Sequence, residues 1–279
     1  MYPIQDTASP DPKILEELTS PSDSIGVKKL VKESIDPRLT FRVVSEKELL
    51  RKRDKDRELT LGRTWEILAR LNNKATHYVT REIKSGSPMY VPNDFSAYKD
   101  WTPLPRQIEE LASVPKFILV VKDIPFLGWY EDGHLIGDSV VCIGKLGTWT
   151  RAGLYRVKTK DIDHVSRSYR NDYGMPSPMP YGLRVYGLVW IHGGDIASGY
   201  CSHGCINLPL RTAEEVFSWA DRSTVVMVVE SLNDLDGVLE KNRSNCTLFA
   251  QKCSPRRMGQ ARPTLVTADA SQGLGEPLR

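Results

Sequence analysis

Two histidines and two cysteines lie within the fourteen residues from His192 to Cys205. A thiol attacks an amide carbonyl as the thiolate, and a nearby imidazole can take its proton and lower its pKa. The same imidazole can later protonate the leaving amine. Gly204 would let the backbone turn closely just before Cys205, so that backbone N–H groups could point at a developing oxyanion. The residue types and their spacing therefore indicate acyl transfer through a cysteine nucleophile.

Three other interpretations fit the same stretch. An isolated cysteine is often a small buried hydrophobe, and an isolated histidine often only completes the hydrogen bonding of a fold. Cys201, His203 and Cys205 would share one face of an extended strand and could bind zinc, although zinc sites more often have two-residue gaps between cysteines. Cys201 and Cys205 could also pair as a redox switch. The chain has five cysteines, so at least one lacks an intramolecular disulfide partner.

The elements that must position these residues are mostly short strands. Apolar and β-branched runs predict strands at 117–121, 140–143, 153–157, 186–191 and 225–229. An Asp132-Gly133 pair between apolar residues predicts a tight hairpin. The clearest helix of this region is 212–220, where Thr212 and Glu215 have the spacing of a capping box. Many strands with few helices predict a mostly-β fold, a sandwich or barrel.

Composition divides the chain into five segments. Residues 1–45 are polar and interrupted by prolines, which is typical of a flexible arm. Residues 46–94 are expected to form a small α+β segment, joined by a linker at 95–115 to the strand-rich domain at 116–230. Residues 231–279 are rich in polar residues, glycine and proline, so we expect a poorly ordered tail.

Charge and hydropathy narrow the class of protein. The hydrophobic fraction of 40% is that of a globular protein with a buried core, and the net charge is only +3. This charge alone argues neither for nor against a nucleic-acid partner, because a nucleic-acid-binding protein would normally carry a concentrated basic stripe. We expect no nucleic-acid partner. No apolar run is long enough for a transmembrane segment, and the N-terminal residues lack the pattern of a signal peptide. The sequence leaves open whether the protein is cytoplasmic or is exported by a signal outside this chain.

The stretch 202–207, Ser-His-Gly-Cys-Ile-Asn, resembles the signature of the YkuD-type L,D-transpeptidases. In that family a serine or threonine, a histidine, a glycine and the catalytic cysteine follow one another, and an upstream histidine in an Ile-His-Gly context is the base. Ile191-His192-Gly193 matches this upstream element. The resemblance extends over 116–230, including the segment 179–181. It implies a mostly-β catalytic domain of sandwich or barrel type.

The resemblance also implies a role for each matched residue. Cys205 would attack the carbonyl of the L-centre next to the terminal D-alanine of a tetrapeptide stem and form a thioester, with His192 as general base and then acid. An amine of a neighbouring stem would accept the acyl group, and neither a metal nor a cofactor is required. The groups that would orient the pair are His203, Ser202 and the Gly193 carbonyl. The oxyanion hole would use the amides of Gly204 and Cys205. The implied substrate-binding residues are Met179, Tyr181 and Asn207.

The resemblance further implies where the protein works and with what. Its partners would be peptidoglycan stem peptides, in the periplasm or at the cell wall. The segment 59–92 resembles a degenerate LysM module, a small glycan-binding unit, which makes glycan strands a second expected partner. The alternative is that this segment is a plain helix–strand connector. Two alternatives remain open. The same site could act as a hydrolase, either an L,D-carboxypeptidase or an amidase that releases wall-linked protein. The chain could also bind peptidoglycan without catalysis.

Overall fold

The computed structural model describes residues 38–145 and 149–244, and it confirms the mostly-β fold with few helices. The strands of the predicted strand-rich domain form two main sheets, a five-stranded and a four-stranded one, accompanied by two short two-stranded pairs. Within the described residues, no helix is both long enough and apolar enough to cross a bilayer.

The N-terminal unit is an α+β structure closed by one antiparallel strand pair. Strand β1 (Leu39–Arg42) pairs with β2 (Met89–Pro92). The intervening helices are α1 (Glu46–Leu50), α2 (Lys52–Lys55), α3 (Leu61–Leu71) and α4 (Thr76–Ser85). Thr60 caps α3 by accepting from the Arg63 amide, and Gly86 ends α4 in the left-handed conformation that glycine adopts readily. The helices and β2 bury a core of their own, which includes Leu49, Leu68, Val79, Met89 and Val91.

Two predicted boundaries of this region differ from the structure. The predicted arm 1–45 contains β1, because its residues pair with β2; residues 1–37 lie outside the described part of the chain. The predicted linker 95–115 is largely packed into the two cores. It contains the 3₁₀ helices Ser96–Tyr98 and Glu109–Leu111, and its buried side chains are Phe95, Tyr98, Leu104, Ile108, Leu111 and Val114.

The five-stranded sheet has the strand order β5-β4-β3-β15-β7. Its members are β3 (Phe117–Val121), β4 (Phe126–Glu131), β5 (His134–Val140), β7 (Gly153–Arg156) and β15 (Val225–Val229). Strands β3 and β15 are parallel and central, and both are fully buried, as their unbroken apolar sequence predicts. The predicted hairpin joins β4 to β5, and Asp132 and Gly133 both have positive φ, as a two-residue hairpin turn requires.

The four-stranded sheet carries the candidate site and has the order β14-β12-β11-β8. Its members are β8 (Thr159–Asp161), β11 (Gly182–Tyr186), β12 (Val189–Gly193) and β14 (Ile206–Leu208). The short pairs are β6 (Ile143–Gly144) with β13 (Tyr200–Ser202), and β9 (Val165–Arg170) with β10 (Pro176–Pro178). One core cluster joins the two main sheets, with Ile118 and Val226 on one side and Leu183, Ile191 and Ile206 on the other. The sheets therefore pack face to face.

Two helices close the domain, and both correct a prediction. Helix α5 (Leu210–Trp219) starts two residues before Thr212, with Pro209 at its N-cap and no side-chain capping bond. The predicted Thr212–Glu215 capping box is therefore wrong. Helix α6 (Leu235–Ser244) lies in the predicted disordered tail, where Leu235 and Leu239 are buried against the five-stranded sheet. The remainder of that tail, from 245 onward, lies outside the described residues.

The N-terminal unit contacts the loop that joins the two halves of the candidate site. This loop, 194–199, runs from the end of β12 to β13. The Ala75 amide donates to the Ile196 carbonyl at 2.8 Å, and the Tyr78 hydroxyl donates to the Asp195 carboxylate. Arg70 of α3 forms a second contact, an ion pair of 2.7 Å with Asp138 of β5. These contacts dock α3 and α4 against the catalytic domain.

Candidate active site

Strand register places Cys205 and His192 on the same face of the four-stranded sheet. Strands β12 and β14 are parallel, with Ile191 opposite Ile206 and His192 opposite Asn207. Cys205 precedes β14 by one residue, so it stands level with Trp190, two residues before His192. Because side chains alternate between faces, Cys205, Asn207, Trp190 and His192 share one face. Cys205 and His192 are thus diagonal neighbours, with backbones about 7–8 Å apart and side chains able to converge.

The backbone fixes the tautomer of His192. Its Nδ1 lies 2.8 Å from the Gly193 carbonyl oxygen, which can only accept a hydrogen bond. Nδ1 therefore carries the proton in the neutral ring, and Nε2 is left as the proton acceptor. The side chain is only 7% exposed, and burial lowers the pKa of His192 below its ordinary value of 6.5. The ring is neutral and ready to act as a base.

The Cys205 thiol lies in a pocket of backbone groups and is partly exposed. Its Sγ lies 3.8 Å from the Leu188 carbonyl oxygen, to which the S–H donates. Burial raises the pKa of Cys205, and a hydrogen bond with the Trp190 backbone lowers it in part. The resting pair is therefore a neutral thiol beside a neutral imidazole, because each shift disfavours the charged form.

A network of hydrogen bonds shapes the turn before Cys205. Ser202 Oγ accepts from the Gly204 amide at 3.1 Å and donates to the Cys205 carbonyl at 2.6 Å. The buried Thr150 Oγ1 donates to the Gly204 carbonyl and accepts from the Gly144 amide, both at 2.9 Å. Gly204 has φ +126°, a conformation that favours glycine. Its amide is occupied by Ser202 here, so Gly204 could serve an oxyanion only by giving up that bond.

A disulfide joins the turn to the rest of the sheet. Cys201, at the start of the turn, is bonded to the fully buried Cys142, 59 residues earlier in the chain. The suggested Cys201–Cys205 pairing is therefore wrong, since Cys205 is free. The zinc alternative loses its first ligand for the same reason. Cys142 also exchanges two backbone hydrogen bonds with Asn207, so one residue braces both strands that flank Cys205.

Removing this disulfide should destabilise the domain. The double variant Cys142→Ala/Cys201→Ala is expected to lose about 2–4 kcal/mol of unfolding free energy, because the bond closes a long loop in the unfolded chain. Urea unfolding under non-reducing conditions measures the loss. A dithiol reductant should lower the midpoint of the wild type and leave that of the double variant unchanged. Equal midpoints for the two oxidised proteins would show that the bond contributes nothing.

His203 faces the β9–β10 hairpin. Its ring stacks on Tyr169 of β9 at 4.2 Å between centroids, and Trp149 lies on a parallel plane at 6.0 Å. Tyr169 and Trp149 are each almost half exposed. His203 thus joins the Cys205 turn to the hairpin through ring contacts, and the structure gives it no hydrogen bond to His192 among the described residues.

The three predicted substrate-binding residues occupy different places. Asn207 lies opposite His192 on the shared face, and its side-chain amide donates to the Asp195 carbonyl at 3.0 Å. Met179 is buried, and its amide donates to the His164 carbonyl. Tyr181 turns toward α5, where the centroids of its ring and the Phe217 ring are 5.9 Å apart and its hydroxyl contacts Glu214. The structure therefore brings Asn207 to His192, and it directs the Tyr181 ring to the helix.

Sequence reasoning missed several residues that form this site. Cys142 and Thr150 brace the turn from positions more than fifty residues upstream. The half-buried Tyr186 ring stacks on Tyr155 at 4.4 Å, and partial burial raises the pKa of its phenol, which lies close enough to Cys205 for a thiolate charge to act on it. The odd cysteine count indicated at least one unpaired thiol, and it carried no information on which cysteines form the disulfide. Thr150 lies in a run that resembles the family and Tyr186 begins a predicted strand, but no sequence signal assigned either residue to the site.

Family comparison identifies the class of this domain. Residues 115–228 match the family model of YkuD, the L,D-transpeptidase catalytic domain. This part of the chain is therefore a YkuD-type L,D-transpeptidase catalytic domain, as the motif resemblance implies. No curated protein sequence gives a significant match to the chain.

Solved structures with significant similarity are also L,D-transpeptidases. The catalytic domain of the Enterococcus faecium enzyme is 30% identical, with 41% of this chain and 96% of that chain covered and a TM-score of 0.35. The Stackebrandtia nassauensis enzyme is 21% identical, with 56% and 66% covered and a TM-score of 0.37. The Mycobacterium smegmatis enzyme is 20% identical, with 41% and 58% covered and a TM-score of 0.38. This chain thus spans little more than half of the mycobacterial chain.

Proposed function

We propose that the protein is a cysteine-nucleophile L,D-transpeptidase that acylates Cys205 with a peptidoglycan tetrapeptide stem and transfers the acyl group to an amine. The observation that carries the proposal is the shared face of Cys205 and His192, with the His192 tautomer set by the Gly193 carbonyl. A base with a free Nε2 next to a nucleophilic thiol is the arrangement that cysteine acyl transfer requires.

Catalysis begins with transfer of one proton. The thiol leaves the Leu188 carbonyl and gives its proton to His192 Nε2, and Sγ attacks the carbonyl carbon of the L-centre before the terminal D-alanine. His192 returns the proton to the nitrogen of D-alanine as the C–N bond breaks, which leaves a thioester on Cys205. The acceptor amine then attacks the thioester, His192 takes its proton, and the thiol is regenerated.

The turn residues act on this chemistry through geometry. Ser202 and Thr150 hold the peptide groups on either side of Gly204, so the Cys205 side chain is presented at a fixed angle. The Cys205 amide is the oxyanion donor that needs the least rearrangement, whereas the Gly204 amide must first leave Ser202. Asn207 is positioned to contact substrate beside His192, and His203 would orient the turn through the β9–β10 hairpin.

The N-terminal unit is proposed to bind glycan and to keep the protein at the cell wall, outside the cytoplasm. A cleft of about 300 Å³ between α3 and β5 supports this, since Arg70, Trp101 and Asp138 line it. The lining is mostly polar and charged, so its side chains can hydrogen-bond the hydroxyl groups of a glycan beside the Trp101 ring. Sedimentation of the protein with insoluble peptidoglycan tests the idea. Trp101→Ala should weaken binding, and equal binding by that variant would exclude the cleft.

Product analysis tests the proposed reaction. The protein is incubated with purified disaccharide-tetrapeptide, and products are followed by mass spectrometry beside Cys205→Ala. A cross-linked dimer with release of D-alanine, absent from the variant, is expected. Release of D-alanine with formation of neither a dimer nor, when excess free D-amino acid is supplied, an exchanged tetrapeptide would assign hydrolysis instead. No reaction of the wild type would leave the non-catalytic alternative.

The pH dependence of acylation follows from the two pKa shifts. His192 acts as a base only when neutral, and burial lowers its pKa, so the acid limb of kcat/KM should have its midpoint below 6.5, the ordinary histidine value. The raised pKa of Cys205 means that free thiolate is scarce at neutral pH. Activity should therefore persist at mildly acidic pH, while alkylation by iodoacetamide of the resting thiol stays slow. An acid limb above 6.5 would contradict the proposed base.

A further inference from the structure

A third histidine lies beside His192 and has no part in the proton transfer described above. The His164 ring stacks on the Trp190 indole, with centroids 3.8 Å apart and an interplanar angle of 23°. Trp190 and His192 are two residues apart on β12, so their side chains leave the same face about 6.6 Å apart. Gly182, which the register of β11 and β12 puts opposite His192, lies against both the His164 Cβ and the Trp190 ring, so His164 lies near His192 on the face that carries Cys205.

Asp161 orients the His164 ring. Its Oδ2 lies 3.0 Å from Nδ1, and the His164 side chain is only 20% exposed. Because a carboxylate only accepts, Nδ1 carries a proton, and protonation of Nε2 decides whether the ring is charged. The His164 carbonyl accepts from the Met179 amide at 2.7 Å, which fixes the backbone of the same residue. Asp161 therefore holds one edge of the ring, and Trp190 contacts its face.

The neighbouring strand leaves room for the stack. Gly182 of β11 precedes Leu183, the partner of Ile191. A Cβ at Gly182 would lie 3.0 Å from the Trp190 ring and 3.2 Å from the Cβ of His164. The volume that a side chain would occupy beside His192 is therefore filled by Trp190 and His164.

Other charged groups of the adjoining strands point elsewhere. Arg184 of β11, level with Trp190, donates to the Gly187 carbonyl at 2.8 Å. Lys160 of β8 donates to the Ala220 carbonyl at 2.6 Å, beside α5. Asp161 faces His164, and Cys205 faces His192 from the β14 side. Positive charge on His164 acts on His192 in the same direction as burial, lowering its pKa.

We propose that the Asp161–His164 pair is a positioning dyad of the active site that controls the charge of His192 from the adjacent turn. The inference rests on the proposed role of His192 as base. A proton on His164 Nε2 places positive charge beside His192 and disfavours the imidazolium form there. With His164 charged, His192 remains neutral down to a lower pH than it would beside an uncharged residue. It can therefore accept the Cys205 proton at that lower pH.

Titration of the histidine side chains by NMR tests the dyad without any substrate. The chain has five histidines, and single substitutions assign their signals. His164→Phe keeps a ring on Trp190 but removes the charge, so the His192 midpoint should move to higher pH. His134→Phe, a change at an exposed position on β5, is the matched control and should leave the His192 midpoint where it is.

A second variant covers the case in which Asp161, left unpaired, prevents His164→Phe from folding. His164→Phe/Asp161→Asn removes both charges and should also move the His192 midpoint upward, by less than the single variant. An unchanged or lowered midpoint in the folded variant would overturn the dyad. If the dyad proposal is wrong, His164→Phe leaves the His192 midpoint unchanged while the protein still turns over peptidoglycan. If the proposed function is wrong, the NMR midpoint still shifts but no turnover is seen. The two failures can therefore be told apart.

When turnover is measured, the acid limb of kcat/KM should follow the NMR midpoint. In His164→Phe the limb moves to higher pH while the rate on the pH plateau is largely kept. A role confined to packing would instead lower the rate at every pH and leave the limb in place, which would also overturn the dyad.

Discussion

Cys205→Ala is expected to abolish acyl transfer, with a loss of about 10⁴-fold or more in kcat/KM. The reason is that the thioester cannot form without Sγ, and no neighbouring group replaces it, since Cys201 is bonded to Cys142. The side chain is partly exposed, so its truncation should cost little stability and the variant should unfold at nearly the wild-type temperature. The loss is measured as cross-linked product per unit time.

The matched control removes the chain's two remaining cysteines. Cys246→Ser/Cys253→Ser should keep wild-type activity, because Cys205 is the nucleophile. Substantial activity in Cys205→Ala, or its loss in the control, would place the nucleophile elsewhere and contradict the site.

His192→Gln should lower kcat/KM by about 10²–10⁴-fold, the usual contribution of a positioned general base. Glutamine matches the size of the ring and can still donate to the Gly193 carbonyl, so the loss reports proton transfer rather than packing. The pH profile should also change in form. Its acid limb should disappear, and the residual rate should rise toward alkaline pH, because the Cys205 thiol must then ionise unaided against its raised pKa.

His134→Gln is the control for this substitution, since that side chain is exposed on β5. It should show the wild-type rate and profile. A His192→Gln variant that retains the acid limb would mean that a different group titrates, and the assignment of His192 as base would be wrong.

The sequence was sufficient for the parts of the fold that depend on local pattern. The all-apolar run 117–121 is a buried central strand, and Asp132-Gly133 forms the predicted hairpin turn. The two halves of the motif also lie together, because the register of β12 and β14 puts Cys205 level with Trp190. The strand and the turn follow from periodicity and turn chemistry, which act over a few residues. The meeting of the two motif halves was instead implied by the family resemblance.

The sequence was insufficient where distant residues decide the structure. Cys142 and Cys201 are joined across 59 positions, whereas the sequence allowed only the nearer Cys201–Cys205 pair as one possibility and did not suggest Cys142. The polar segment after 230 looked disordered, yet Leu235 and Leu239 are enough to bury one face of α6. Helix α5 begins at Leu210 because Pro209 ends the preceding strand, which overrides the local Thr212 signal. His164 carried no motif, since its place beside His192 comes from the stack on Trp190.

The most direct test of the account is the intact mass of the protein after brief exposure to disaccharide-tetrapeptide at pH 6. We expect a mass increase equal to the substrate less D-alanine, mapped by proteolysis to the peptide that contains Cys205 and removed by hydroxylamine as a thioester should be. His192→Gln should form the same adduct far more slowly, and Cys205→Ala should form none. Product formation with an adduct on another residue, or with the same yield in Cys205→Ala, would contradict the central claim.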